Sequence, residues 1–239
     1  MTLMKWVRLP SDWINYRHGL KKLQWKGDGV GSDATAALMA LTAIAHHAND
    51  QSGIAWRTYD ALCLATGLSR AKLSNGLDVL QKLQVIERMP EGRSTYKLCG
   101  FNPNERWAKL PAKGMYASDR IAAFSELRLR KESELNALKL YFLFVARRSR
   151  ETNMANISYS GIEEYTGIER AKIKSAQSLL AALSLIYVEH LPTDTYANGI
   201  ANAYRIVGID PYKHMGTLGR GLTAYDFDNT EKDEVDIPF

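Results

Sequence analysis

Apolar and polar residues alternate along this chain in two rhythms, and the same succession of rhythms occurs twice. Residues 34–48 carry apolar side chains at helical spacing, as do residues 134–148. A shorter helical stretch at 58–65 ends in Thr66-Gly67, where Gly67 suits the left-handed position after a helix. Ser69 is then placed to cap a third helix over 69–83, with Leu73, Leu77, Leu80 and Leu83 on one side. "VIERMPEGRSTYKLC" follows as strand, turn and strand, with Pro90 and Gly92 in the turn. Before the first helix of each set, "WVRLPSDWI" and "WAKLPAKGM" predict a strand followed by a turn. "LKKLQWKGDGVG", with three lysines and three glycines, reads as a solvated linker rather than a basic loop near a polyanion.

The recurrence is an internal duplication. At an offset of 100, Tyr59, Thr66, Gly67, Arg70, Ala71, Lys72, Leu80, Leu83 and Ile86 match Tyr159, Thr166, Gly167, Arg170, Ala171, Lys172, Leu180, Leu183 and Ile186. Ala37-Leu38 answers Ala137-Leu138, and "KWVRLP" from Lys5 answers "RWAKLP" from Arg106. "YKLCGFNP" from Tyr96 answers "YRIVGIDP" from Tyr204 at an offset of 108. The second copy therefore holds about eight extra residues in the turn "PTDTYANGIAN", and it begins its third helix with Glu169. Helix, helix, tight turn, helix, hairpin is the order of a winged helix-turn-helix. The expected fold is α+β, mainly α with small β-hairpin wings. Two tandem winged units are expected at 1–103 and 104–211, followed by a flexible acidic tail at 212–239.

Composition narrows the partners. The chain has 239 residues, 46% hydrophobic and 24% charged, an ordinary globular balance. No apolar run approaches the ~20 residues of a membrane span and no signal peptide stands at the start, so a cytoplasmic, nucleoid- or plasmid-associated bacterial protein is expected. Cys63 and Cys99 read as buried reduced thiols. The net charge of +5 conceals a division. Asp226, Asp228, Glu231, Asp233, Glu234 and Asp236 against Lys232 make residues 223–239 −5, which leaves +10 on residues 1–222. Such a body is suited to a polyanion, and the tail to something else.

Catalytic chemistry finds no footing. His18, His46, His47, His190 and His214 lack metal-site spacing, and no cofactor or metal is expected. His46-His47 closes a helix, where a cation complements the dipole. Glu163 and Glu164 read as surface charge. No phosphate-binding glycine loop or nucleophile elbow occurs.

"LATGLSRAKLSNGLDVLQKLQVIER" resembles the winged helix of bacterial DNA-binding proteins, and the tandem layout resembles plasmid and phage replication initiators. The resemblance covers most of each unit and implies that the third helix enters the major groove. Ser69, Arg70, Lys72 and Asn75 then face DNA in unit one, joined by Arg88 and Arg93 on its wing. Arg70 suits guanine and Asn75 adenine, with Lys72 on phosphate. Arg170, Lys172, Lys174 and Ser175 are the counterparts in unit two. Unit two alternatively docks protein, and 128–132 with Arg147, Arg148 and Arg150 offers it a phosphate-binding surface.

The chain ends "DEVDIPF". Exposed Ile237 and Phe239 give no solubility, so the acids alone do not explain this ending. It resembles the acidic C-terminal tip of bacterial single-stranded DNA-binding protein (SSB), a docking peptide, departing from it at Val235. The resemblance implies that Asp233, Glu234, Asp236, Ile237, Pro238 and Phe239 bind a partner. The Phe239 ring would enter an apolar pocket and its carboxylate would meet a base. Burying that ring is worth about 1.5–3 kcal/mol. Implied partners are the polymerase chi subunit, a restart helicase, primase or a RecQ-type helicase, alongside double-stranded DNA, on which a homo-oligomer is allowed. The function expected is a non-enzymatic replication initiator or helicase-loading adaptor of a mobile element. The alternatives are a transcriptional regulator, or a decoy that occupies SSB-binding proteins.

Overall fold

A computed structural model describes residues 3–26, 29–89, 94–193 and 199–209; of 191–193 and 199–201 it describes only the backbone. The protein is α+β, with eight α-helices and four small antiparallel sheets among the described residues. The first repeat runs β1 (Trp6–Pro10), α1 (Asp12–Asn15), α2 (Gly19–Lys22), α3 (Val30–His46), β2 (Ile54–Trp56), α4 (Tyr59–Thr66), α5 (Arg70–Lys82), β3 (Ile86–Arg88) and β4 (Thr95–Leu98). The second runs β5 (Trp107–Pro111), β6 (Tyr116–Ala117), β7 (Arg120–Ile121), α6 (Glu132–Arg147), β8 (Met154–Asn156), α7 (Tyr159–Thr166), α8 (Arg170–Ala182), β9 (Ile186–Thr193) and β10 (Gly199–Ile206). In each repeat the last strand lies between the other two, as β2-β4-β3 and β8-β10-β9.

The apolar faces explain the packing. Leu73, Leu77 and Leu80 of α5 are buried against α3, and Ile173, Ala176 and Leu180 of α8 against α6. α5 comes close because position 76 is glycine: a Cβ there would stand 2.8 Å from the Ala36 carbonyl carbon. The eight-residue insertion lengthens β9 and β10 to eight residues each, so it extends the hairpin rather than only its turn.

Both repeats contribute to one continuous apolar core. β1 and β5 pair with each other, and α3 packs on α6. The stretch read as a linker is not one. α2 buries Leu20, Leu23 follows it into the core, and Trp25 packs beside them. His18 stacks on Tyr165, with centroids 5.6 Å apart, so this arm of the first repeat lies on α7 of the second. In the other direction, Tyr116 Oη lies 3.1 Å from His46 Nδ1.

The histidine pair departs from expectation. Burial, then the neighbouring His47, lower the His46 pKa to about 3. Burial, then the Arg57 guanidinium, lower that of His47 to about 4. Both rings are neutral at pH 7, so neither complements the helix dipole as a cation. Cys63 and Cys99, both in the first repeat, are free thiols, half-buried rather than fully enclosed.

Candidate nucleic-acid interface

Two local devices aim α5. Gly67 takes φ 74°, which turns the chain sharply after α4, and Ser69 then accepts a hydrogen bond from the Lys72 N–H. Gly167 repeats the turn at φ 67°. At the start of α8, Glu169 makes no side-chain cap. Glu163 Oε1 instead accepts from the Arg170 N–H at 2.9 Å, so Glu163 caps a helix rather than serving as plain surface charge.

These turns present matching outward faces. Ser69, Arg70 and Asn75 are exposed and Lys72 is half-exposed; in α8, Arg170, Lys174 and Ser175 are exposed and Lys172 is half-exposed. Arg70 and Arg170 lie over the rings of Tyr59 and Tyr159, at 5.7 and 5.3 Å, the same cation–π contact in both repeats.

Carboxylates reach these cations from neighbouring helices. Lys72 Nζ donates to Asp33 Oδ1 at 2.8 Å and to Ser32 Oγ at 2.5 Å, and Asn75 Nδ2 donates to the same carboxylate at 3.2 Å. Lys172 Nζ donates to Glu132 at 3.1 Å and to Glu169 at 3.2 Å, and these two bonds raise its pKa. Arg70 pairs with Asp60. Lys174 makes no ion pair among the described residues.

Arg88 departs from the expected wing contact. Its guanidinium turns back onto α5, donating to Asp78 Oδ1 at 2.6 Å and to the Ser74 carbonyl at 3.5 Å. Strand β3 is only three residues long and starts beside the end of α5, so the half-exposed Arg88 side chain reaches the exposed Asp78 on that helix. Arg93, Asp233, Glu234, Asp236, Ile237, Pro238 and Phe239 lie outside the described residues.

In the basic cluster of the second repeat, backbone groups and aromatic rings hold several members. The backbone N–H groups of Arg128, Arg130 and Lys131 wrap the buried Glu134 carboxylate at 2.6–3.1 Å. Arg147 lies over Tyr165 and Arg150 over Trp107, while Arg148 is 9% exposed.

Asp33, Glu132, Asp60 and Asp78 are the partners that sequence reading missed. The only trace of Asp33 and Glu132 is that each repeat has an acid in the first turn of its long helix. Among the described residues no group of three or more His, Cys, Asp or Glu side chains could hold a metal ion. No described helix is long and apolar enough to cross a membrane. No protein-family model matches this chain, and no curated protein matches it.

Proposed function

We propose that this is a sequence-specific double-stranded DNA-binding protein of two winged helix-turn-helix units, without catalytic activity of its own. Its C-terminal residues recruit a host replication or repair protein. One observation carries the DNA reading: the body presents Arg-Ala-Lys twice, on the exposed face of a helix that follows a tight glycine turn. The +10 charge on residues 1–222 supports it, because phosphate neutralisation drives association. The carboxylates behind Lys72 and Lys172 hold those side chains in place before DNA arrives. The ending Asp236-Ile237-Pro238-Phe239 supports recruitment through pockets that accept the tip of SSB. Together these suit a replication initiator or helicase-loading adaptor of a plasmid, phage or integrative element.

Two measurements test the reading. Titration of random duplex DNA should give an affinity that falls steeply with salt, and Arg70→Ala with Arg170→Ala should weaken it. Duplex binding that is absent at low salt would remove the DNA claim. The intact chain and a variant lacking Phe239 should be compared on purified chi subunit, restart helicase, primase and RecQ-type helicase. Partner binding lost with Phe239 supports recruitment. Partner binding without any DNA binding favours the decoy, and DNA binding without a partner favours a transcriptional regulator.

A further inference from the structure

The repeats meet through equivalent residues. Trp6, Arg8 and Pro10 correspond to Trp107, Lys109 and Pro111. In the β1–β5 pair Arg8 faces Lys109, its own counterpart, while Trp6 faces Pro111 and Pro10 faces Trp107. The flanking bonds are reciprocal: the Ser11 N–H donates to the Arg106 carbonyl and the Ala112 N–H to the Lys5 carbonyl, both at 2.9 Å. So are the cation contacts, with Arg8 over Trp107 at 5.1 Å and Lys109 over Trp6 at 4.7 Å. Trp6 and Trp107 stack on each other, centroids 5.8 Å apart. A pairing that maps onto itself when the repeats are exchanged is an isologous contact, the mark of a two-fold axis. Here that axis lies inside one chain and passes between Arg8 and Lys109. A head-to-tail duplication would pair non-equivalent residues instead.

We infer that the target is an inverted repeat of two non-identical half-sites, both read by a single chain, α5 on one and α8 on the other. This inference rests on the DNA-binding reading above. Duplex DNA has local two-fold axes across its own axis, and a two-fold protein engages both grooves alike only when the axes coincide. The half-sites are therefore opposed in direction. They differ because the reading faces differ. Arg70 and Lys72 recur as Arg170 and Lys172, whereas Ser74 and Asn75 become Lys174 and Ser175. The half-sites thus share the base pair met by the arginine and diverge where Asn75 or Lys174 reaches the groove.

Selection from a random duplex pool with the full chain tests this, beside the double variant Ser74→Lys, Asn75→Ser. These two positions lie on the outer side of α5, Ser74 half-exposed and Asn75 exposed. The native chain should select an imperfect inverted repeat at one chain per site, and the double variant a more symmetric one. Arg70→Ala and Arg170→Ala should each lower affinity roughly tenfold or more, and each should lose footprint protection on a different half. A direct repeat, two chains per site, an unchanged site in the double variant, or indifference to Arg170→Ala would overturn the inference and leave DNA binding standing. Failure to bind any duplex would overturn both.

Discussion

Lys72 and Asn75 share one carboxylate, Asp33, which is contributed by a helix that begins some forty residues earlier in the chain. That sharing sets their geometry and also places a negative charge beside the proposed phosphate path. Asp33→Asn should therefore raise duplex affinity on all sequences alike. Lys72→Ala should lower the slope of log affinity against log salt by about one, and titrations at several salt concentrations measure both. Ser69 and Gly67 were legible in the sequence because a cap and a left-handed turn depend on neighbours within three or four residues. The carboxylates were not, because contact between distant positions leaves no local pattern. His46 and His47 make the same point. Their helix-end position suggested a charge, but the surrounding packing, with Tyr116 from the other repeat among it, keeps them neutral. At these two rings the unfolded state binds more protons than the folded one below pH 6.5, so their contribution to stability should fall on acidification from about 6.5 through about 4 for His47 and on to about 3 for His46. Thermal unfolding against pH should show this loss, and His46→Gln should flatten it.

α5 and α8 have the same length and the same burial pattern at nearly every position, yet they lie differently on their partner helices. Gly76 allows α5 onto the backbone of Ala36 and Ala37, whereas the second repeat has Ala176 at that place. Gly76→Ala gains helix propensity but forces α5 outward, and it should cost about 1–3 kcal/mol net. Denaturant titration measures this cost, and a stabilised variant would contradict the close approach. Periodicity located α4, α5 and their counterparts because each buries one stripe of its surface, whereas α3 and α6 are central helices buried on every side over 34–46 and 134–145. It did not locate α2, a single turn that packs on α7 of the second repeat as well as on α1 and buries Leu20. The hairpin of the second repeat was legible as an insertion. Its outcome as longer strands depended on register with β9, which no spacing in the sequence states.

One core and one sheet shared by both repeats bear on how the molecule folds. A two-stranded ribbon is marginal alone, and the inward residues of β1–β5, Val7, Leu9, Ala108 and Leu110, are buried in the core that both repeats build. The chain should unfold in one cooperative transition, seen as coincident changes in helix content and tryptophan fluorescence. A fragment of residues 1–103 should not persist as a folded monomer. Size-exclusion chromatography and circular dichroism of that fragment check this, and a stable helical monomer would show that the repeats are independent. The boundary at 103 and 104 divides the duplication, and the core runs across it.

The sequence by itself determined the duplication, the order of the first strand, the three main helices and the hairpin in each copy, the glycine turns, and which side of α5 and α8 faces outward. All of these follow from short-range periodicity and from residue matches along the chain. Only the tertiary structure decided that the copies are joined about a two-fold axis, which carboxylate holds each lysine, that Arg88 turns back onto α5, and that His46 and His47 are neutral. Each of these depends on how separate elements pack, because it is set when two apolar faces close on one another and exclude water.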